Sequence, residues 1–427
     1  MKTVALLTDK TAMGMYTEAA LRHIMRIYGV RETTPETADV IWFSCSDPDD
    51  LPSLRAARGI AGERPLIMGG FEAYCGVPYL AWADAVVVGE CSNFMRTWGR
   101  SPLEAVSLPN VLTMDKYERG EPVYPDYEVL YGKMPIVKVG GKKRYYFLAG
   151  RGCKGKCKFC MTSWTQPYSN CPIERIKQVV RFVETQKGVL TLITNDSKNV
   201  IESKVVNAQS IRVVDYLKDP KKYKSHMLRF GIEFWDEATR ARMGKPIKDE
   251  HLTELINVTK ELKQTCELFF IIGMPGDENS PRWTLDSVRE FIDRVVPTDL
   301  SLHPKIHVKM TYIDPCPHTP IAGMRIDPEY YDRDAIFKMF SARNRRFRTF
   351  PARSAAREAW RAVFHRCTPE EALRLDKEPS GKNEKTAFPR FVEYLRKIGL
   401  EGKLEGKGEN EKFIKVSIRD ASGKKRN

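Results

Sequence analysis

"LAGRGCKGKCKFCMTSW", residues 148–164, is the stretch that decides how this chain is read. Cys153, Cys157 and Cys160 fall within eight positions, among Arg151, Lys154, Lys156 and Lys158. Ten cysteines in 427 residues are too sparse for a disulfide scaffold. The start, MKTVALLTDK, reaches Asp9 after a short apolar run, so no signal peptide is expected. No run approaches the roughly 20 apolar residues of a membrane span. The expected setting is soluble, cytoplasmic and reducing, without a membrane, where clustered thiols point to metal or catalysis.

The spacing C-x3-C-x2-C lets one loop present three thiolates to one inorganic centre. Gly152 and Gly155 suit the tight turns of such a loop. A structural zinc site needs a fourth ligand, and Cys171 stands near enough in sequence to supply it. Ferredoxin-type clusters also take four cysteines. Three ligands on a four-iron centre would leave one iron open to a ligand.

Outward from this loop, strands and helices alternate. Toward the N-terminus, "TVALLTD", "ADVIWFSCS", "RPLIMGG" and "ADAVVVGE" read as buried strands, with "YTEAALRHIMRIYG" and "DDLPSLRAARGI" as helices between them. The pattern predicts an α/β domain over 1–110, a doubly wound, flavodoxin-like parallel sheet. Five prolines mark 111–144 and its approach as a connector. Over 145–330, "RYYFLAG", "VLTLITND", "QSIRVV", "HMLRFGIEF", "CELFFIIGMPG" and "KIHVKMTYID" predict six strand–helix units, a partial (β/α)6 barrel. Barrel chemistry sits at the C-terminal strand ends, which hold the cysteine loop, Asn195 and Asp196, Glu233 and Gly273. His303, His307, Cys316 and His318 flank the sixth strand. Loop packing is the expectation for all of these but His307.

The net charge is +15, and the basic excess runs from the cysteine loop to the C-terminus. That suggests either an anionic partner or a basic solvated face. The segment 331–427 reads as basic and helical. Arg343, Arg345, Arg346, Arg348, Arg353, Arg357 and Arg361 are interleaved there with Phe347, Phe350 and Trp360, a pattern suited to phosphate contacts and base stacking.

With Phe159 just before the last cysteine, the loop resembles that of the radical S-adenosylmethionine superfamily. "RFGIEFWDEATRARMGKP" and "LFFIIGMPGDE" are similar to the fourth and fifth strand segments of its larger members. The resemblance implies a 4Fe-4S cluster on Cys153, Cys157 and Cys160. It implies S-adenosylmethionine on the open iron, cleaved to a 5′-deoxyadenosyl radical, with Phe159, Asn195, Asp196, Glu233 and Gly273 at its site. A flavodoxin or ferredoxin would supply electrons to a monomer. The N-terminal domain resembles the cobalamin-binding domain that precedes many radical enzymes, carried by Thr11, Gly14, Ser44, Gly69, Gly70 and Glu90. Thr11 stands where that family has its histidine ligand. The domain either binds cobalamin without a protein ligand or serves only in recognition. The leading expectation is a methyltransferase acting on an unactivated carbon. The alternatives are methylthio transfer or other radical modification of nucleic acid, with Cys45, Cys75 and Cys91 holding a second cluster, and a non-catalytic nucleic-acid-binding or redox-sensing protein.

Overall fold

The computed structural model describes residues 2–8, 12–139, 143–194, 203–223, 227–273, 284–299, 303–326, 333–343, 347–350, 355–375, 379 and 384–406. The N-terminal strands Val4–Thr8, Val40–Ser44, Leu66–Gly69 and Ala85–Val87 pair in parallel. Both their faces are buried, which is why they read as unbroken apolar runs. Val4, Leu6, Val40 and Trp42 face the helices Ala12–Ile27 and Ser92–Trp98, while Ala5, Ile41 and Phe43 face the helix Leu51–Ala61. Trp42 meets Trp98 edge-on, their rings 5.4 Å apart at 77°, a geometry worth about 1 kcal/mol beyond burial.

The two covered faces match expectation, but the strand order does not. The strands follow one another across the sheet in chain order rather than in the flavodoxin-like order. Alternating strand and helix dictates parallel pairing, yet each crossover is long enough to reach either edge, so pattern alone leaves the order open. The expected boundary also moves. Val111–Thr113 pairs antiparallel with Ala85–Val87 and closes the first sheet from within the predicted connector. Val137–Lys138 of the connector then edges the first barrel strand.

The barrel is an arc of parallel strands. Arg144–Leu148 pairs with Val189–Ile193, and a bridge from Leu190 to Val206 leads on to the second sheet. That sheet runs Ala208–Ser210, Met227–Glu233, Thr265–Ile272, Ile306–Tyr312 and Phe347–Phe350, all parallel. The last of these strands corrects the expectation of a wholly helical C-terminal region. In Phe347-Arg348-Thr349-Phe350 the arginine charge masked a strand. Beyond it, the helix Ala355–His365 returns to the N-terminal domain. Trp360 and Phe364 stack at 5.4 Å, and Phe364 packs edge-on against Tyr79 at 5.0 Å. No helix among the described residues is long and apolar enough to cross a membrane.

Candidate functional site

The cysteine loop is pinched at its base. Gly150–Arg151 pairs antiparallel with Ser169–Asn170, so residues 152–168 bulge out as one unit. Gly152 has φ +64°, and a Cβ there would lie 2.3 Å from the Pro167 carbonyl oxygen, so only glycine fits. The Gly155 amide donates to Cys153 Sγ at 3.3 Å. Cys160 is the N-cap residue of the helix Met161–Thr165, and its amide donates to the Cys157 carbonyl at 3.1 Å. Trp164 Nε1 donates to the same carbonyl at 2.9 Å. Phe159 points inward, edge-on to Phe234 at 5.5 Å.

A second turn supports the loop from below. The Lys158 amide donates to the Met243 carbonyl at 3.0 Å, and Cys157 Sγ lies 3.7 Å from the Gly244 carbonyl. Gly244 has φ +77°, and a Cβ there would strike the Lys156 carbonyl at 2.5 Å. Burial pushes the Cys157 thiol up, and the Lys245 ammonium opposes that shift. Burial alone would lower Lys245, but Glu233 and the Cys157 thiol hold its ammonium above the ordinary lysine value.

Beside the loop opens a cavity of about 610 Å³ lined by Cys153, Cys157, Arg212, Arg229, Glu233 and Lys245. Glu233 sits at a bulge in its strand with φ +75°, a strained value for a non-glycine residue. Its carboxylate pairs with Lys245 at 2.8 Å. Gly231 makes that pair possible, since a Cβ there would lie 2.1 Å from Glu233 Oε1. With Lys154 and Lys156 also among its lining, the cavity offers thiols, a carboxylate and five cationic residues. Gly273 ends its strand with φ +85°, next to Tyr312. Asn195 and Asp196 lie outside the described residues.

A second cavity, of about 340 Å³, lies on the other side of the loop's base, at the C-terminal edge of the first sheet. Four predicted residues, Ser44, Gly69, Gly70 and Glu90, line it together. Apolar residues Leu6, Trp42, Ile67 and Phe94 form its depth. Gly70 has φ +103°, and a Cβ would lie 2.2 Å from the Cys45 carbonyl, so this glycine first permits two loops to touch. Gly14 is buried in the helix Ala12–Ile27 and is not among the lining residues. Thr11 lies outside the described residues. Arg151 and Gln166 of the cysteine loop also line this cavity, as does Tyr74. Sequence reasoning missed Arg151 and Gln166 because the two domains meet only in the fold, and it missed Tyr74 because no motif marks it.

Cys171, the expected alternative fourth thiol, is buried among apolar residues such as Ile176 and Val179 and does not line the cluster-side cavity. Cys45 and Cys75 belong to one core, whereas Cys91 packs against the other. His303 Nε2 lies 3.0 Å from Thr259 Oγ1, and His318 Nε2 lies 2.9 Å from the Tyr74 carbonyl. These two histidines are packing residues, as expected. His307 neighbours Glu267 at 3.8 Å, within an ion-pair group that includes Arg229 and Lys309.

No protein-family model and no curated protein matches this chain. Among solved structures it superimposes on the radical S-adenosylmethionine methyltransferase TsrM from Kitasatospora setae, determined with cobalamin and a 4Fe-4S cluster bound. The TM-score is 0.57, at 12% identity, over 93% of this chain and 99% of that one. It also matches the cobalamin-dependent S-adenosylmethionine radical enzyme OxsB with aqua-cobalamin bound, at TM-score 0.50 and 13% identity. That match covers 70% of this chain and 52% of OxsB, so the chain spans about half of that protein. The likeness is one of fold, and it coincides with the motif order read from the residues. The chain has the fold of these cobalamin-dependent radical S-adenosylmethionine enzymes, with a parallel-sheet domain followed by an arc of parallel strands.

Proposed function

We propose that this protein is a radical S-adenosylmethionine methyltransferase that uses cobalamin and acts on an unactivated carbon. The carrying observation is one loop with a cavity on each side. Cys153, Cys157 and the Glu233–Lys245 pair line one cavity, and Ser44, Gly69, Gly70 and Glu90 line the other. The lining of each cavity supports the group assigned to it. Cys153 and Cys157 of this glycine-bent loop face an open space, and Cys160 follows them at the N-cap of the next helix, an arrangement suited to a cluster with one free iron. The second cavity has an apolar depth and a glycine rim suited to a nucleotide-tailed macrocycle. When bound, the cluster supplies the electron for sulfonium cleavage, and cobalamin carries the methyl group.

The chain's own residues bind, orient and exclude water. Arg212 and Lys245 would take the carboxylate of S-adenosylmethionine, and Glu233 its amino or ribose groups. Phe159, next to Cys160 in the chain, packs edge-on against Phe234. Arg151 belongs to the loop and to the second cavity at once, so the cluster side and the cobalamin side share one rigid segment. A flavodoxin or ferredoxin would be the electron donor.

The methylthio-transfer reading needs Cys45, Cys75 and Cys91 to converge. Among the described residues these three form no ligand group. The anionic-partner reading of the arginine stretch loses two members. Arg357 pairs with Asp49 at 2.7 Å. Arg361 lies 3.8 Å from both Asp47 and Asp314. Arg345, Arg346 and Arg353 lie outside the described residues.

The test is anaerobic reconstitution with iron, sulfide and cobalamin. Purified protein is expected to retain cobalt after gel filtration and to cleave S-adenosylmethionine under reduction. Cleavage without any cobalt retention would leave a radical enzyme without the methyl-carrier assignment.

A further inference from the structure

A buried polar cluster lies apart from both cavities, where the N-terminal domain, the barrel and the C-terminal helix meet. Glu72 and Cys75 sit three residues apart on the 3-10 turn Phe71–Cys75. A 3-10 helix has three residues per turn, so positions i and i+3 eclipse and present both side chains on one side. His365 arrives from the end of the helix Ala355–His365. Carboxylate, thiol and imidazole place ligand atoms within 4.8 Å of one another, and all three residues are buried.

We propose that Glu72, Cys75 and His365 form a zinc site that fastens the C-terminal helix to the N-terminal domain. One thiolate, one imidazole and one carboxylate supply three of zinc's four tetrahedral positions, a donor set suited to this borderline-soft ion, and a water would take the fourth. The supporting shell is present. Tyr79 OH donates to Glu72 Oε2 at 3.2 Å, an outer contact of the kind that orients a ligand and sets its basicity. Within the set, His365 Nε2 lies 3.0 Å from the same oxygen. Among the described residues the buried His365 Nδ1 has no hydrogen-bond partner within ordinary geometry, and the ring lies within reach of the Cys75 thiol. Tyr79, Trp360 and Phe364 close the apolar side through ring contacts.

On binding, the Cys75 thiol would release its proton to solvent. Cys75 Sγ lies 3.8 Å from Met161 Sδ, and Met161 follows the last cysteine of the loop. The site therefore braces the back of the cysteine loop. It is independent of which cofactors the two cavities hold.

The experiment uses the full chain, expressed with zinc and analysed for metals by mass spectrometry. The triple variant Cys153→Ala, Cys157→Ala, Cys160→Ala is the reference, because the loop thiols could otherwise take zinc themselves. One zinc per chain is expected to remain in it, and adding Cys75→Ser or His365→Ala is expected to remove that zinc. A folded triple variant without zinc overturns the proposal, as does zinc kept in both added variants. Should any variant fail to fold, crystals of the unmutated chain decide by anomalous scattering at the zinc edge. A peak among the three side chains is expected, and its absence there overturns the assignment.

Discussion

Arg151 Nε lies 2.7 Å from Glu90 Oε1, joining the cysteine loop to the last parallel strand of the N-terminal sheet. Glu90 is largely buried and Arg151 half-buried, so the contact is an interdomain strut rather than a surface pair. Replacing Arg151 by Met leaves Glu90 without its cation. A double-mutant cycle with Glu90→Gln should return a coupling of about 1 kcal/mol. Cobalamin retention should fall in both single variants. Strictly additive unfolding energies would show that the strut carries no coupling.

Each of Cys153→Ala, Cys157→Ala and Cys160→Ala should abolish bound iron, bound sulfide and the visible absorbance of the cluster. Cys171→Ala should leave all three unchanged, because Cys171 packs among Ile176 and Val179. Iron analysis and absorbance on anaerobically reconstituted protein check both halves.

Gly70→Ala tests the cavity rim. The new methyl would approach the Cys45 carbonyl to 2.2 Å at a φ of +103°. Strain of this kind costs about 1–3 kcal/mol before the clash is added. Thermal unfolding should show the loss, and cobalamin retention should fall with it. Gly62→Ala, at a positive φ with nothing within 4 Å, should cost less and leave retention intact.

Glu358 gives a pH dependence of defined sign. Burial, then Asp314, Asp47 and Asp49, push its carboxyl well above the ordinary glutamate range. Below about pH 4.3 both folded and unfolded chains hold this proton, and the group is neutral in its effect. As pH rises above that value the unfolded chain ionises while the folded chain does not, so Glu358 destabilises the fold progressively. Glu358→Gln should therefore raise the denaturation midpoint more at pH 7 than at pH 4. An equal shift at both values would contradict the assignment.

Among the described residues no histidine lines the cavity under Gly69 and Gly70, and the sequence has Thr11 where the resemblance to cobalamin-binding domains would place a histidine ligand. Cobalamin bound there and reduced to Co(II) should show no superhyperfine splitting from a histidine nitrogen in its electron paramagnetic resonance spectrum. Growth on nitrogen-15 histidine should leave the spectrum unchanged.

Local chemistry made the cysteine loop legible from the residues alone. Three thiols at C-x3-C-x2-C with Gly152 between strand and loop need no distant partner to be recognised, and apolar runs alone marked most of the parallel strands. Glu233 was legible for the same reason, since the end of a barrel strand is a position along the chain. Strand order in the first sheet was not, because a long crossover reaches either edge at similar cost. The strand Phe347–Phe350 was hidden by its arginine, and its place beside Ile306–Tyr312 exists only once the barrel has curved round. Arg151 with Glu90, and Glu72 and Cys75 with His365, are separated by 61 to 293 positions in sequence. No periodicity spans such distances. Only burial of the apolar faces around them brings those polar groups together, and so the tertiary structure decided where the two domains and the C-terminal helix join.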